Sequence, residues 1–236
     1  MSEKELPPAS ESRLSADGNE RVAIITGGRG DLAQAIAAAL QREGWQVLAP
    51  GRNEMDVRDA TSVRAWFAQR PRIDAMIGNA GIVRDGLFVR SAEEDIDEVL
   101  SVNLRGAYLC AQAALPSMRL AGGGHLLWIG SWAARNGTAG QSTYAASKAG
   151  LIGLSQSLAR ELAPENIRSN VVLPGFLQTK MNRHMPEAAL RHVLAQHTLG
   201  RLNTVQEAAR FIACLCSMQH VSGQVFQLDS RIGRSL

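Results

Sequence analysis

Tyr144 and Lys148 stand four positions apart in the segment STYAASK, thirteen residues after Ser131. The trio offers a proton donor, a cation to acidify it and a hydroxyl to hold a carbonyl oxygen. In a helix, positions i and i+4 share one face, so the ammonium can lie beneath the phenol. A free phenol titrates near pH 10 and donates protons poorly at neutral pH. A neighbouring positive charge favours the phenolate and moves the group toward a useful range.

Elements that could position this trio recur along the chain. Val22-Ala23-Ile24-Ile25 reads as a buried strand that stops at a glycine turn, and an alanine-rich helical pattern follows. Further strands are expected at 45–49, 73–77, 125–129, 169–173 and 224–228. Helical stretches are expected at 60–69, 95–119, 143–163 and 204–217. Strands alternating with helices predict one α/β domain: a three-layer, doubly wound parallel sheet of Rossmann type. Ligands of such sheets bind beyond the carboxyl ends of the strands.

The first strand–helix junction reads TGGRGDLA over 26–33 and contains Gly27, Arg29, Gly30, Asp31 and Leu32. Glycine there lets the backbone approach a pyrophosphate, and the helix N-terminus adds amide donors. The second strand runs into Pro50-Gly51-Arg52-Asn53, with no acid before Glu54. An acid would grip a ribose 2′-hydroxyl, whereas arginine favours a 2′-phosphate, so Arg52 and Arg29 point to NADP, with NAD as the alternative. Met55-Asp56-Val57 is expected as a third-strand region presenting Asp56 to the adenine amino group. Asn79-Ala80-Gly81 is expected at the end of a fourth strand, its small residues letting the chain pass close to the adenosine side.

Composition excludes several classes. The 236 residues are 45% hydrophobic and 20% charged with a net charge of +3, ordinary globular usage without a basic run for nucleic acid. Cys110, Cys214 and Cys216 lack metal-ligand spacing and are expected as buried thiols in a reducing cytoplasm. His184, His192 and His197 are expected at the surface or cleft rim, with no metal. Residues 1–19 read as a flexible tail without a secretory core, and no run of eighteen apolar residues suggests a membrane span.

Taken together these segments resemble the short-chain dehydrogenase/reductase superfamily, in its short single-domain branch. The motifs fall in family order: the glycine turn at 26–33, Asn79-Ala80-Gly81, Asn103, Ser131, Tyr144 with Lys148, then Pro174-Gly175 with Thr179. The resemblance implies nicotinamide-dependent carbonyl/alcohol redox chemistry. Tyr144 would be the general acid in reduction. Lys148 would hold the nicotinamide ribose and depress the tyrosine pKa, and Ser131 would bind the substrate oxygen. Asn103 would anchor a water relaying protons from Lys148. Pro174, Gly175, Leu177 and Thr179 would line the nicotinamide. The resemblance also implies a homotetramer built through the helices near 95–119 and 143–163.

The chain departs from the family pattern at identifiable points. Asp31 and Ala33 replace the second and third glycines of the turn, and Gly78 replaces the first asparagine before Asn79. Asp31 would oppose a phosphate unless its side chain turns away and caps the helix. Three residues between Arg52 and Asp56 leave no room for the usual helix there. Asp229 is followed by Ser230-Arg231 where a double glycine is usual.

Within the family, the segments at 140–151, 171–181 and 199–202 look most like the 3-oxoacyl-acyl-carrier-protein reductases. A ketoreductase of 3-oxoacyl thioesters or similar medium-sized ketones is therefore the first expectation. An acidic carrier protein would need arginines at the rim, but the relevant positions hold Gly122 and Glu165, with Arg119, Arg135 and Arg168 nearby. A substrate lid is expected over 180–199. The alternatives are an NAD-dependent dehydrogenase of a sugar or secondary alcohol, and a non-catalytic dinucleotide-binding regulator.

Overall fold

The computed structural model describes residues 20–180, 182–183 and 185–233; the expected tail at 1–19, with Met181 and His184 of the expected lid, lies outside them. Six strands form one parallel sheet: β1 (Val22–Ile25), β2 (Gln46–Leu48), β3 (Ala75–Gly78), β4 (Gly124–Ile129), β5 (Ile167–Leu173) and β6 (Val225–Gln227). Their order is β2-β1-β3-β4-β5-β6. The chain steps from β1 outward to β2 and returns to the other side of β1 with β3. Strand order therefore reverses between β1 and β3, which opens a crevice at their carboxyl ends.

Side-chain alternation builds the layers. Ile24, Met76, Leu126, Trp128, Val171 and Leu173 face one buried cluster with α2 (Ala60–Phe67), α4 (Gly106–Leu120) and α6 (Ser142–Glu161). Ala23, Ile25, Ala75, Ile77, Leu127, Ile129 and Val172 face the opposite cluster with α1 (Asp31–Arg42) and α8 (Val205–Ser217). Near-continuous apolar runs with both faces covered are what a parallel sheet requires. The α/β, doubly wound expectation matches this architecture.

Local details differ from expectation. Residues 55–57 form no strand; the chain runs from β2 through turns directly to α2, and Asn79 follows the third strand rather than a fourth. The short Arg52-to-Asp56 spacing leaves no length for an extra element. The helical stretch at 95–119 is two helices, α3 (Glu93–Leu100) and α4, joined by a π-turn at Ser101–Arg105. Cys214 is exposed, because neighbours two apart on α8 diverge and only Cys216 faces the core. His197 is buried rather than at the rim, since the chain after α7 (Glu187–Ala195) bridges back to Arg231. His192 is exposed as expected.

Candidate active site

A cleft of about 1300 Å³ lies beyond the carboxyl ends of the strands. Its wall includes Gly27, Arg29, Gly30, Asp31, Leu32, Arg52, Asp56, Val57, Asn79, Ala80, Gly81, Ser131, Tyr144, Lys148, Pro174, Gly175, Leu177 and Thr179. The candidate catalytic and cofactor residues therefore meet in one crevice except Asn103, which is buried.

The glycine turn is held from below. Gly27 has a φ of 68°, and a Cβ there would come within 2.9 Å of the Ala80 backbone. Thr26 Oγ1 accepts from the amides of Asn79 and Ala80, both at 3.0 Å, while Asn79 Nδ2 donates to the Thr26 carbonyl at 3.0 Å. Asn79 thus braces the turn from its place in the cleft wall. Gly30 precedes α1 without a side-chain cap, leaving the first-turn amides to a ligand or water. Asp31 does not cap α1. It accepts from the Lys180 amide at 2.7 Å with the Lys180 ammonium at 3.5 Å, which turns its charge toward the segment after β5. That amide, first among its causes, holds the Asp31 carboxyl below its ordinary pKa.

At the end of β2, three arginines line the cleft in acidic company. Arg29 pairs with Glu54 at 3.4 Å, and Glu54 also accepts from the Gly51 amide at 2.7 Å. Asp56 pairs with Arg52 at 3.4 Å and takes a forked interaction from Arg58, Nη2 at 2.6 Å and Nε at 3.0 Å. The Arg58 hydrogen bonds, ahead of any other cause, hold Asp56 at about 2. Asp56 thus meets the cleft wall as a carboxylate already paired with two arginines. Arg58 went unnoticed in the sequence; its only signal is the two-residue spacing from Asp56.

The trio meets on the other side. Gly137 and Gly140, with φ of 64° and 80°, turn the chain after α5 (Ala133–Asn136) so that α6 starts at Ser142. Tyr144 then lies in the first turn and Lys148 one turn later. Lys148 is 3% exposed, and its ammonium donates to the Ile129 carbonyl at 2.7 Å. Burial lowers its pKa to about 8. Its Nζ is 5.7 Å from the Tyr144 ring centre. Burial raises the Tyr144 pKa, and a hydrogen bond with Ser131 opposes the rise. Desolvation is the leading cause acting on the Tyr144 hydroxyl, ahead of the Ser131 hydrogen bond.

Asn103 sits in the π-turn. Its Nδ2 donates to the Ile82 carbonyl and to Ser147 Oγ, both at 3.0 Å, and its Oδ1 accepts from the Ile82 amide at 2.8 Å. Both side-chain hydrogens are therefore engaged, while Oδ1 keeps a second lone pair. A Cβ on Gly81 would lie 3.4 Å from both Asn103 Oδ1 and Lys148 Nζ, so glycine keeps the space between them open.

Comparison with known proteins agrees with this geometry. A family model described as enoyl-(acyl carrier protein) reductase matches residues 27–230. The 3-oxoacyl-[acyl-carrier-protein] reductase FabG of Thermotoga maritima is 35% identical over 236 aligned residues, covering 89% of this chain and 96% of its own. The chain belongs to the short-chain dehydrogenase/reductase family. The FabG reductase of Escherichia coli is 32% identical, with 89% and 96% coverage. The MabA reductase of Mycobacterium tuberculosis is 35% identical, with 90% and 93% coverage. Each of these three relatives is named as a 3-oxoacyl-[acyl-carrier-protein] reductase, an oxidoreductase of this family.

Two family departures have local causes. A Cβ at Gly78 would meet the Trp128 ring at 2.6 Å, so the missing asparagine reflects an indole filling that space. The residue after Ser230 is Arg231, which reaches the cleft wall. Only the missing double glycine after Asp229 marks this position in the sequence.

Proposed function

We propose that this protein reduces a medium-sized ketone, such as a 3-oxoacyl thioester, to a secondary alcohol using NADPH. The observation that carries this reading is the convergence of Ser131, Tyr144 and Lys148 opposite the Pro174–Gly175 turn in one cleft. A glycine-walled turn at an uncapped helix start fits a dinucleotide pyrophosphate. The bound nicotinamide supplies the hydride.

The chain's residues manage the proton. Ser131 holds the carbonyl oxygen where negative charge develops. Tyr144 donates its hydroxyl proton to that oxygen. Lys148, fixed by the Ile129 carbonyl, offers its remaining hydrogens to a ribose hydroxyl and favours the phenolate left behind. Asn103 holds the Ile82 backbone and Ser147, and through them the start of α6. Thr179 lies in a loop closed by Asn182, which accepts from the Thr179 amide at 2.9 Å and donates to the Leu177 carbonyl at 2.7 Å.

Arg29, Arg52 and Arg58 favour a 2′-phosphate. A second reading, NAD-linked oxidation of an alcohol, is favoured by Glu54, whose carboxylate folds back to the Gly51 amide at the end of β2. An acyl carrier protein has weaker support. Arg119 is paired with Glu165, and Arg168, at the amino end of β5, is bound to the Met218 carbonyl at 2.8 Å; neither lines the cleft. A homotetramer through α4 and α6, and a cytoplasmic location, complete the reading; no described helix is long and apolar enough to cross a membrane.

The test follows cofactor oxidation over ketones and acyl thioesters, including acetoacetyl thioesters, with NADPH and NADH in parallel. Turnover with NADPH supports the reading. Turnover only of alcohols with NAD selects the second one, and no turnover with any carbonyl or alcohol overturns both.

A further inference from the structure

The C-terminal segment brings a cation to the substrate half of the cleft. Arg231 lines the wall, with its side chain 8% exposed. Its guanidinium stacks over Trp132, 4.5 Å from the ring centre, one residue beyond Ser131. One edge is taken by Asp229: Nε donates to Oδ2 at 2.7 Å, and Nη2 lies 2.5 Å from the same oxygen.

Asp229 is itself immobilised. Its side chain is fully enclosed, Oδ1 accepts from Gln227 Nε2 at 3.0 Å, and Oδ2 faces His197 Nε2 at 3.6 Å. Gly175, with φ of 85°, packs so closely that a Cβ there would come within 2.7 Å of Asp229 Cβ. The arginine is thus tied to the Pro174–Gly175 turn opposite the Tyr144 trio. Its Nη1 has no hydrogen-bond partner among the described residues, and it is not among the enclosed polar atoms that lack one.

A guanidinium held on one edge and stacked on one face still presents its Nη1–Nη2 end, which matches a planar carboxylate with two parallel hydrogen bonds. We propose that Arg231 is a specificity-determining residue that binds a free carboxylate carried by the ketone substrate. The inference rests on the ketone-reductase reading and narrows its substrates to oxo acids. Neutral esters and thioesters of the same skeleton would lack the contact. Because Trp132 adjoins Ser131, the carboxylate end and the reacting carbonyl are placed by adjacent residues.

The experiment compares 3-oxobutanoate, 4-oxopentanoate and 5-oxohexanoate with their methyl esters, so that no single spacing is assumed. A 4-oxopentyl phosphate arm separates carboxylate recognition from attraction to any anion. Wild type is expected to favour one or more acids over its ester by at least tenfold in kcat/KM, expressed mainly in KM. Arg231→Gln should collapse that ratio toward one, and Arg231→Lys should retain part of it. Equal use of acids and esters by wild type, equal loss of both in Arg231→Gln, or a preference for the phosphate would overturn the inference. So would turnover of other ketones with none of this series. Failure to reduce any ketone would instead remove the underlying function, and the inference with it.

Discussion

Lys148 Nζ lies 5.7 Å from the centre of the Tyr144 ring and spends its 2.7 Å hydrogen bond on the Ile129 carbonyl. The cation is thus positioned by strand β4, not by the phenol it serves. A buried ammonium with one carbonyl partner is costly to the fold.

That cost has a pH signature. The folded pKa of Lys148, about 8, lies below its ordinary 10.5. Between these values the unfolded chain binds more protons, so stability rises with pH across that window, and the penalty is fully present below pH 8. Lys148→Met should abolish activity yet raise unfolding stability at pH 7, by up to roughly 3 kcal/mol before the lost hydrogen bond is subtracted. The advantage should shrink from pH 8 to 10. Urea unfolding of both proteins at four pH values measures it, and a pH-independent difference would refute the assignment.

Tyr144→Phe removes one oxygen from a site otherwise held by Ser131, Asn103 and Lys148. The expected loss in kcat is roughly 10²- to 10⁴-fold, the usual range for a general acid. Dinucleotide affinity should stay within a few-fold, because the glycine turn and the arginines lie elsewhere. Single-turnover kinetics with fluorescence binding separates the two. Retained turnover would remove Tyr144 from the role of general acid.

Much of this was legible because parallel strands and glycine junctions leave local marks. β1 and the carboxyl halves of β4 and β5 are apolar runs, and the family motifs follow their ends. The cleft therefore collects every wall residue named from the sequence. What could not be read depends on long-range partners. The π-turn around Asn103 answers to Ile82 and Ser147, and the indole beside Gly78 comes from the neighbouring strand. Arg58 on Asp56 and Arg231 on Trp132 are likewise set by rotamers and chain return. His197 looked like a surface residue because nothing local announces its bridge to Arg231.

Coenzyme choice turns on Arg52. Its side chain is 69% exposed and its pairing with Asp56 is shared with Arg58, so it can leave that carboxylate for a phosphate at little cost. Arg52→Ala should lower the NADPH-to-NADH preference by roughly 10- to 100-fold, the worth of a hydrogen bond to a charged group. Glu54→Gln should move the ratio the other way, by weakening its hold on Arg29. Titrations with both nucleotides at low and high salt measure the shift, and an unchanged ratio in Arg52→Ala would exclude a phosphate contact.

Gly28 provides the sharpest stability test of the cofactor end. Its amide donates to the Pro50 carbonyl at 3.0 Å, joining the glycine turn to the end of β2. A Cβ there would lie 2.0 Å from the Ala49 carbonyl oxygen, a backbone atom that no rotamer change can move aside. Gly28→Ala must therefore push the turn away from β2 at a cost of roughly 1–3 kcal/mol, or about 2–4 °C in Tm per kcal/mol. The same displacement moves the phosphate cradle relative to Arg52, so dinucleotide affinity should fall along with Tm. Gly30→Ala is the control, since its Cβ would meet nothing closer than 3.5 Å. Calorimetry should find Gly30→Ala closer to wild type than Gly28→Ala, and the reverse order would contradict the packing described.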